Sequence, residues 1–248
     1  MRRSLWITVL ALVAFTAIVI ARLPASWVIP APPAAVSCAA VDGSIWSGTC
    51  AGLTVQGSSI GDVVWSVHAL RLLSGKLSAN VALTRAGGSI RGDFDVGLDK
   101  SVTARNVHAD LPLDQDVMSQ LPRDLRTLRG TANADIAFAH VAKNIITQLQ
   151  GRIELHDLED RDPDRLPLGS YSLSFPGGTG EPTGQLRDLG GPLAVEGTVR
   201  LTQDQPGFDL QSYITPRADA APALVNQLRF LGSPDAQGRR QFGTTVTF

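Results

Sequence analysis

The sequence is poor in aromatic residues and has no excess of positive charge. Phe, Trp and Tyr make up 6% of its 248 residues, and the formal net charge is -1. Proteins that bind single-stranded nucleic acids stack the bases on aromatic side chains along a basic groove. Because the chain has neither feature, we predict that nucleic acid is not one of its partners.

Long apolar runs are also scarce, and the single one lies at the N-terminus. Residues 5–21, LWITVLALVAFTAIVIA, carry no charge, and as a helix they extend roughly 25 Å, enough to cross the hydrocarbon core of a bilayer. Arg2 and Arg3 precede the run and Arg22 follows it, which places the N-terminus in the cytoplasm. We predict a cytoplasmic N-terminus over 1–4, a transmembrane helix over 5–21, a proline-rich stalk over 22–35 and an exported β-rich domain over 36–248.

A cleaved secretory signal is the alternative for the same segment. Val19, Ile20 and Ala21 form an acceptable cleavage site after a positively charged start. The apolar run is longer than the about seven to fifteen residues typical of such a signal, and Arg22 follows it directly. We therefore favour a retained helix, and both alternatives export the rest of the chain.

Cysteine is limited to Cys38 and Cys50, both in the part predicted to be exported. An oxidising compartment makes a disulfide between them the expected state, and two unpaired buried thiols are the alternative. Asp42 and Gly43 favour a two-residue hairpin turn, which would pair Cys38 with Ser47 and leave Cys50 three residues out of register. Either the turn is wider than this, or the sulfur atoms do not meet.

The sequence contains no pattern typical of a metal site. Its four histidines form no i, i+4 pair and have no cysteine at zinc-ligand spacing: His68, His108, His140 and His156. Asp160, Asp162 and Asp164 alternate like the first ligands of a calcium loop, but Arg165 and Tyr171 occupy the positions of the required glycine and glutamate. We interpret this stretch as a solvated acidic loop and predict no metal and no cofactor.

One short motif matches the nucleophile elbow of hydrolases. Residues 57–61 read G-x-S-x-G, but the elbow requires a strand before the serine and a helix after it. Residues 62–68 continue as a strand-like run instead, so a plain Gly/Ser turn is favoured. We predict that the chain is not an enzyme.

From Cys50 onward, apolar residues alternate with polar ones. Clear examples lie over residues 77–83, 90–98, 193–201 and 208–214. Alternation with period two gives each strand one apolar face, which is typical of antiparallel sheets. We predict a mainly β protein: a single N-terminal transmembrane helix followed by an antiparallel β-rich domain, a twisted sheet or sandwich, with a few short helices.

Helical patterns are few and short. Residues 112–120 have acidic residues near their start and Pro122 just beyond their end. Residues 219–231 form a clearer pattern, with Asp219 as the predicted cap, Pro222 in the first turn and Gly232 at the end. A third possible helix spans residues 141–149.

Five short motifs occur in order along most of the chain: residues 23–25, residues 43–48, Trp65, residues 72–77 and residues 231–238. As a set they resemble the general secretion pathway protein N family of bacterial type II secretion systems. Residues 102–181 carry no motif of the set. Within the motifs we assign structural roles to ten residues: Pro24, Gly43, Trp46, Gly48, Trp65, Gly75, Leu77, Gly232, Asp235 and Gly238.

The resemblance implies an inner-membrane protein with a periplasmic domain. It implies an accessory part of the machinery that exports folded proteins through the outer membrane, in contact with inner-membrane components of the assembly platform. It carries over no catalytic residue and no cofactor. The pair Cys38 and Cys50 departs from the family pattern.

Several of the motif residues have physical roles that follow from their residue types. Gly43 and Gly48 permit positive φ or close backbone approach around Trp46. For Trp46 and Trp65, we favour core packing over a hot spot for a partner. The leading hypothesis is therefore a non-catalytic interaction module held at the inner membrane.

The alternative hypothesis is an AsmA-like periplasmic protein that binds or transports lipid along a β-groove. The two hypotheses differ in the state of the apolar sheet face. A face covered by helices and facing strands is a core, whereas an open trough is a binding surface.

Overall fold

A computed structural model gives the fold and describes residues 12, 15, 19, 22–28, 35–114, 126–161, 165–178 and 180–247. The chain divides into two compact units, unit 1 at Met1–Arg85 and unit 2 at Ala86–Phe248. All four tryptophans of the sequence lie in unit 1 and both tyrosines lie in unit 2. Tryptophan and tyrosine fluorescence therefore report on the two units separately.

The described part of unit 1 contains five antiparallel strands. They are β1 (Val36–Ser37), β2 (Ala40–Gly43), β3 (Ser47–Val55), β4 (Ser58–Val67) and β5 (Lys76–Arg85). Strands β1 and β2 both pair with β3, β3 pairs with β4, and β4 pairs with β5. Short 3₁₀ segments lie at Ala25–Trp27 and Ala69–Ser74.

The described part of unit 2 contains nine antiparallel strands, each paired with the next along the chain. They are β6 (Gly88–Gly97), β7 (Val102–Pro112), β8 (Leu128–Ala142), β9 (Ile145–Asp160), β10 (Leu166–Pro176), β11 (Thr183–Gly190), β12 (Leu193–Leu201), β13 (Gly207–Pro216) and β14 (Arg240–Thr247). Helix α1 (Pro222–Leu228) and the 3₁₀ turn Arg229–Leu231 lie between β13 and β14.

The register explains the alternation seen in the sequence. Val195 pairs with Ile214 on the apolar face of β12 and β13, and the next pair, Glu196 with Tyr213, lies on the opposite face because successive residues of a strand point to opposite sides. The prediction of a mainly β, antiparallel fold with few helices is confirmed.

The buried core of unit 2 lies where α1 packs on the sheet. Leu224 and Leu228 of the helix are buried against Leu193 and Val195 of β12. A seven-residue helix is marginal on its own, so α1 depends on this contact. At this end of unit 2 the apolar sheet face is a covered core.

Tyr171 of β10 borders the same core. Its hydroxyl donates a hydrogen bond to the Leu168 carbonyl oxygen. Burial, together with the nearby Asp188 carboxylate, raises the pKa of Tyr171 to about 12. The folded-state pKa lies above the value of about 10 for an exposed tyrosine, so this contribution to stability is present below pH 10 and is lost as the pH rises toward 12.

The Tyr213→Phe variant leaves Tyr171 as its single tyrosine, so phenolate absorbance tests this shift directly. We expect a titration midpoint near 12 in the folded chain and one near 10 after unfolding in urea, because unfolding exposes the ring to water. A native midpoint near 10 would contradict the buried position of Tyr171.

The disulfide between Cys38 and Cys50 is confirmed, with 5.6 Å between the two Cα atoms. The wider of the two turns considered is present: Gly43 pairs with Gly48, and Val41 pairs with Cys50. The two-residue turn at Asp42 and Gly43 does not form. The four residues between the paired Gly43 and Gly48, 44–47, form the connecting loop instead, and the last of them is also the first residue of β3.

One predicted helix is wrong and another is largely confirmed. Residues 141–149 form the end of β8, a turn and the start of β9; Lys143 and Asn144 have φ of 52° and 64°, as a type I′ hairpin turn requires. The helix predicted over 219–231 is present but begins at Pro222. Its N-cap is Ala221, and no side chain caps it, so the predicted cap is wrong.

Two other predictions, the helix over 112–120 and the transmembrane helix over 5–21, fall mainly on residues outside the described part. Pro112 ends β7, and the described part stops at residue 114 before resuming at 126, so most of the helix predicted over 112–120 is not covered. Within the predicted transmembrane segment 5–21, only Leu12, Phe15 and Val19 are described, and they are helical. Among all described residues, none belongs to a helix of sufficient length and apolarity to span a bilayer, so the transmembrane helix stays a prediction.

Candidate functional site

The first three family-like motifs meet at one end of the unit 1 sheet. Pro24 forms a β-bridge with Ser44, and the Ile45 N–H donates to the Leu23 carbonyl oxygen at 3.1 Å. Ala25, with 1% of its surface exposed, is buried beside this bridge. We call this set of residues, 23–25 with loop 44–47, the N-terminal junction. It ties the stretch that follows the predicted membrane helix to the first hairpin of the domain.

The two motif glycines at the junction allow close approach. Gly43 has φ of +92°, and a Cβ atom there would lie 2.5 Å from the Ser47 carbonyl oxygen. At Gly48 a Cβ atom would lie 2.6 Å from both the Asp42 carbonyl oxygen and Cζ2 of Trp65. The indole of Trp65 therefore occupies the space that a side chain at position 48 would need.

Both motif tryptophans take part in the junction. Trp65 pairs with Gly48 across β3 and β4, and its Nε1–H donates to the Ile45 carbonyl oxygen at 3.3 Å. The carbonyl oxygen of Trp46 accepts a hydrogen bond from the Val67 N–H at 2.6 Å. Both side chains are half-buried, and their contacts hold loop 44–47 against the end of β4.

Replacing Gly48 by alanine should destabilise unit 1 by about 1–3 kcal/mol, because the added methyl group displaces the Trp65 ring or the backbone at Asp42. Urea unfolding followed by tryptophan fluorescence measures this change. Gly243→Ala, followed by tyrosine fluorescence because it lies in unit 2, is the matched control: that glycine also lies within a strand, but its nearest Cβ neighbour is 3.6 Å away. Equal, small effects of the two variants would contradict the tight contact.

The remaining motif of unit 1 closes the 3₁₀ segment Ala69–Ser74. Gly75 has φ of 73°, and its N–H bonds to the Arg71 and Leu72 carbonyl oxygens. A left-handed residue at this position favours glycine. Leu77, in β5, has 43% of its surface exposed, so it contributes little to the core.

The C-terminal motif forms a turn built around one carboxylate. Asp235 Oδ1 accepts hydrogen bonds from the backbone N–H groups of Gln237 at 2.9 Å and Arg239 at 2.8 Å. Its Oδ2 accepts a bond from Arg239 Nε at 2.9 Å, and the Gly238 N–H donates to the Asp235 carbonyl oxygen. Gly232, with φ of 96°, closes the preceding 3₁₀ turn.

Two effects oppose each other at the Asp235 carboxyl. Desolvation raises its pKa, but the hydrogen bonds from Arg239 and Gln237 outweigh this, so the pKa lies below its ordinary value. Because the folded-state pKa is lowered, the stabilisation is present above the ordinary aspartate pKa and is lost as the pH falls through the folded-state value.

Arg239 connects this turn to the sheet. Its guanidinium lies 4.6 Å from the centre of the Tyr213 ring, within the range of a cation–π contact, and its Nη1 lies 3.3 Å from Glu196 Oε1. The motif turn is thereby held to β12 and β13. Sequence reasoning identified Asp235 but missed Arg239, Tyr213 and Glu196, since no local signal connects residues so far apart in sequence.

Comparison with known proteins identifies the family. A family model described as "Type II secretion system (T2SS), protein N" matches residues 34–243, which is most of the chain. The chain belongs to the type II secretion system protein N family. The resemblance inferred from the five motifs is confirmed, and the family supports a role in type II secretion.

Two curated relatives share this family name. The type II secretion system protein N of Aeromonas hydrophila is 26% identical over 248 residues, covering 96% of each chain. That of Vibrio cholerae serotype O1 (strain ATCC 39315 / El Tor Inaba N16961) is 26% identical over 230 residues, covering 90% of each chain. No solved structure matches the chain. The comparisons do not support the lipid-groove alternative.

Membership of the protein N family implies interaction with other components of the secretion system.

Among the described residues, the candidate motifs for a nucleophile and for a metal site do not assemble into either kind of site. Residues 57–61 lie at the β3–β4 hairpin, so the serine of the G-x-S-x-G match is followed by a strand. In the described ranges, no three His, Cys, Asp or Glu residues are grouped as metal ligands. Two of the histidines pair with carboxylates, His108 with Asp135 and His156 with Glu154.

Part of the acidic loop lies outside the described residues. Asp160 ends β9, whereas residues 162–164 are not described. The structure therefore leaves the interpretation of that stretch as a solvated loop a prediction.

Proposed function

We propose that this chain is a non-catalytic accessory component of the type II secretion system at the inner membrane, with a periplasmic interaction domain that supports export of folded proteins across the outer membrane. The observation that carries the proposal is the family match over residues 34–243. Its partners are inner-membrane components of the assembly platform.

The proposed topology follows the predicted segments. Residues 1–4 are cytoplasmic, 5–21 cross the inner membrane once, 22–35 form the stalk and 36–248 lie in the periplasm. Within the stalk, residues 23–25 are held against loop 44–47 of the domain. A membrane helix confines the domain near its partners, which raises the effective concentration of the domain for them. The function is therefore positional, and we assign no catalytic residue and no cofactor.

The motif residues support this function by shaping the domain. Gly43 and Gly48 admit the junction contacts, Gly75 closes a 3₁₀ segment, and Asp235 organises the C-terminal turn. These contacts are structural in kind, because each satisfies backbone groups or makes room for a ring. By stabilising the domain, these contacts keep the surfaces that bind partners in place.

Strand β14 offers a physical route for binding. Among the described strands of unit 2, it pairs with β13 and with no other. Apart from Arg240 at its start, β14 contains no charge and no proline, which are the devices that usually protect an open sheet edge. An extended segment of a partner can add to such an edge through backbone hydrogen bonds.

Photo-crosslinking in the native host tests this proposal. A crosslinking amino acid at Thr247, exposed on β14, should yield adducts with secretion-system membrane proteins. The same residue at Thr198, exposed on the interior strand β12, is the matched control and should yield few. Mass spectrometry identifies the adducts.

Two results would contradict the proposal. Equal yields of the same adducts from Thr247 and Thr198 would exclude the β14 edge as the binding route. Adducts with phospholipid or lipopolysaccharide, without protein partners, would overturn the interaction module in favour of lipid binding.

A further inference from the structure

Large apolar side chains are exposed in two short segments of unit 1. In and after the first 3₁₀ segment, Trp27 and Val28 are 78% and 63% exposed. In and after the second, Leu70, Leu72 and Leu77 are 83%, 42% and 43% exposed. Single exposed apolar residues are normal, but a group on one side of a domain marks an interaction surface.

Backbone hydrogen bonds place the two segments at the same end of the sheet. The Val67 N–H donates to Trp46 in loop 44–47, and the His68 N–H donates to the Ser78 carbonyl oxygen at 2.8 Å. The segment Ala69–Ser74 therefore leaves the sheet beside loop 44–47. The same loop holds Pro24 through the bridge to Ser44, and Ala25–Trp27 follows at once.

Basic residues outnumber acidic ones at this end. Residues 22–28 and 68–77 contain no Asp or Glu, while Arg22, Arg71 and Lys76 lie in or next to the two segments. The exposed Asp42, two residues before Ser44, is the acidic residue that unit 1 places near them. Surfaces that combine exposed Trp and Leu with Arg and Lys bind the interface of membranes containing anionic lipids. The chain also enters this end directly from the apolar run 5–21, with Arg22 between them.

We infer that this end of unit 1, formed by Trp27, Val28, Leu70, Leu72 and Leu77, lies on the anionic phospholipid surface of the membrane that the N-terminal segment enters. The inference rests on the proposed function, because it takes residues 5–21 as the membrane anchor. The exposed apolar residues add a second contact with the membrane, besides the anchor, and two contacts fix the orientation of unit 1 on the bilayer. The β3–β4 turn, at the other end of the sheet, then points away from the lipid.

The test uses the full chain in vesicles of phosphatidylethanolamine and phosphatidylglycerol. Because the native cysteines form a disulfide, Leu70→Cys carries a single free thiol for an environment-sensitive fluorophore. Ser59→Cys is the control: Ser59 is also exposed, but it pairs with Thr54 next to the β3–β4 turn. Lipids that carry a nitroxide near the headgroup quench a fluorophore that touches the membrane.

In vesicles that float with the chain, we expect quenching at position 70 to exceed that at position 59 by at least about threefold, because only the former contacts headgroups. Replacing phosphatidylglycerol by phosphatidylcholine should reduce the quenching at position 70, because the basic residues lose their anionic partners. Equal, weak quenching at both positions would overturn the inference, as would a fluorophore at position 70 that is shielded by a second copy of the chain instead of lipid.

Failure of this inference is distinguishable from failure of the proposed function. A chain that floats with vesicles but shows no quenching at position 70 keeps its anchor and loses only the second contact. A chain that does not float overturns both the anchor and the docking surface. The crosslinks expected from Thr247 depend on neither result.

Discussion

The Leu224→Ala variant should lose about 2–5 kcal/mol from the free energy of unfolding of unit 2, as deletion of a buried leucine side chain usually does. Leu224 is 3% exposed and is the most deeply buried residue of the cluster that it forms with Leu228, Leu193 and Val195. Truncation leaves a cavity under a helix of seven residues that has little stability of its own. We therefore expect α1 to loosen before the sheet does.

Urea unfolding of the full chain in detergent, followed by tyrosine fluorescence, measures this loss. Phe230→Ala is the matched control, because Phe230 lies in the 3₁₀ turn directly after α1 and is 91% exposed. An exposed substitution changes stability by about 0.5 kcal/mol or less. A similar effect of both variants would show that α1 is not held to the sheet by Leu224.

Removal of the disulfide is expected to have the second large effect. The Cys38→Ala, Cys50→Ala double variant should lower the stability of unit 1 by about 3 kcal/mol, the value for a closed loop of this length in the chain-entropy model. Alanine avoids placing a hydroxyl group at two sites that are 6% and 3% exposed. The first hairpin, and with it the N-terminal junction, should open at a lower urea concentration.

Tryptophan fluorescence follows this transition, and tyrosine fluorescence serves as an internal control because both tyrosines lie in unit 2. A reducing agent should shift the tryptophan midpoint of the natural chain to that of the double variant and leave the variant unchanged. Coincident tryptophan midpoints in the oxidised natural chain and the variant would contradict the prediction.

Strands were the most predictable part of this molecule, because apolar and polar residues alternate along them and this alternation shows which face of the sheet each residue occupies. The pattern over residues 193–201 corresponds to β12 residue for residue. Strand pairing was not predictable in the same way, since alternation identifies faces and not neighbours. The regular order of unit 2 came from the structure.

The errors have local causes. Over residues 141–149, apolar residues at Val141, Ile145 and Leu149 fit a helical spacing, but Lys143 and Asn144 adopt left-handed φ values and turn the chain into a hairpin. At the first hairpin, the side-chain oxygen of Ser44 accepts bonds from the N–H groups of Trp46 and Ser47. This widens the turn beyond Asp42 and Gly43.

The candidate site was predictable only in part. The motif residues Gly48 and Trp65 stood out individually, yet their contact depends on the register of β3 and β4, which the sequence does not reveal. The same holds for Arg239, whose partners Glu196 and Tyr213 come from two earlier strands. Contacts between residues that are distant in sequence can be identified only once the fold is known.

The neighbour-to-neighbour order of β6–β14 also bears on how unit 2 is made. Each strand pairs with the strand synthesised just before it, so none waits for a partner from much later in the chain, and contacts between sequence neighbours form fast. The sheet can grow from β6 while later residues are still emerging. Strand β14 is then the last of the described strands to join, so the edge that it leaves unpaired among them exists only once this sheet is complete. A partner that bound there, as proposed above, would select chains whose unit 2 has folded.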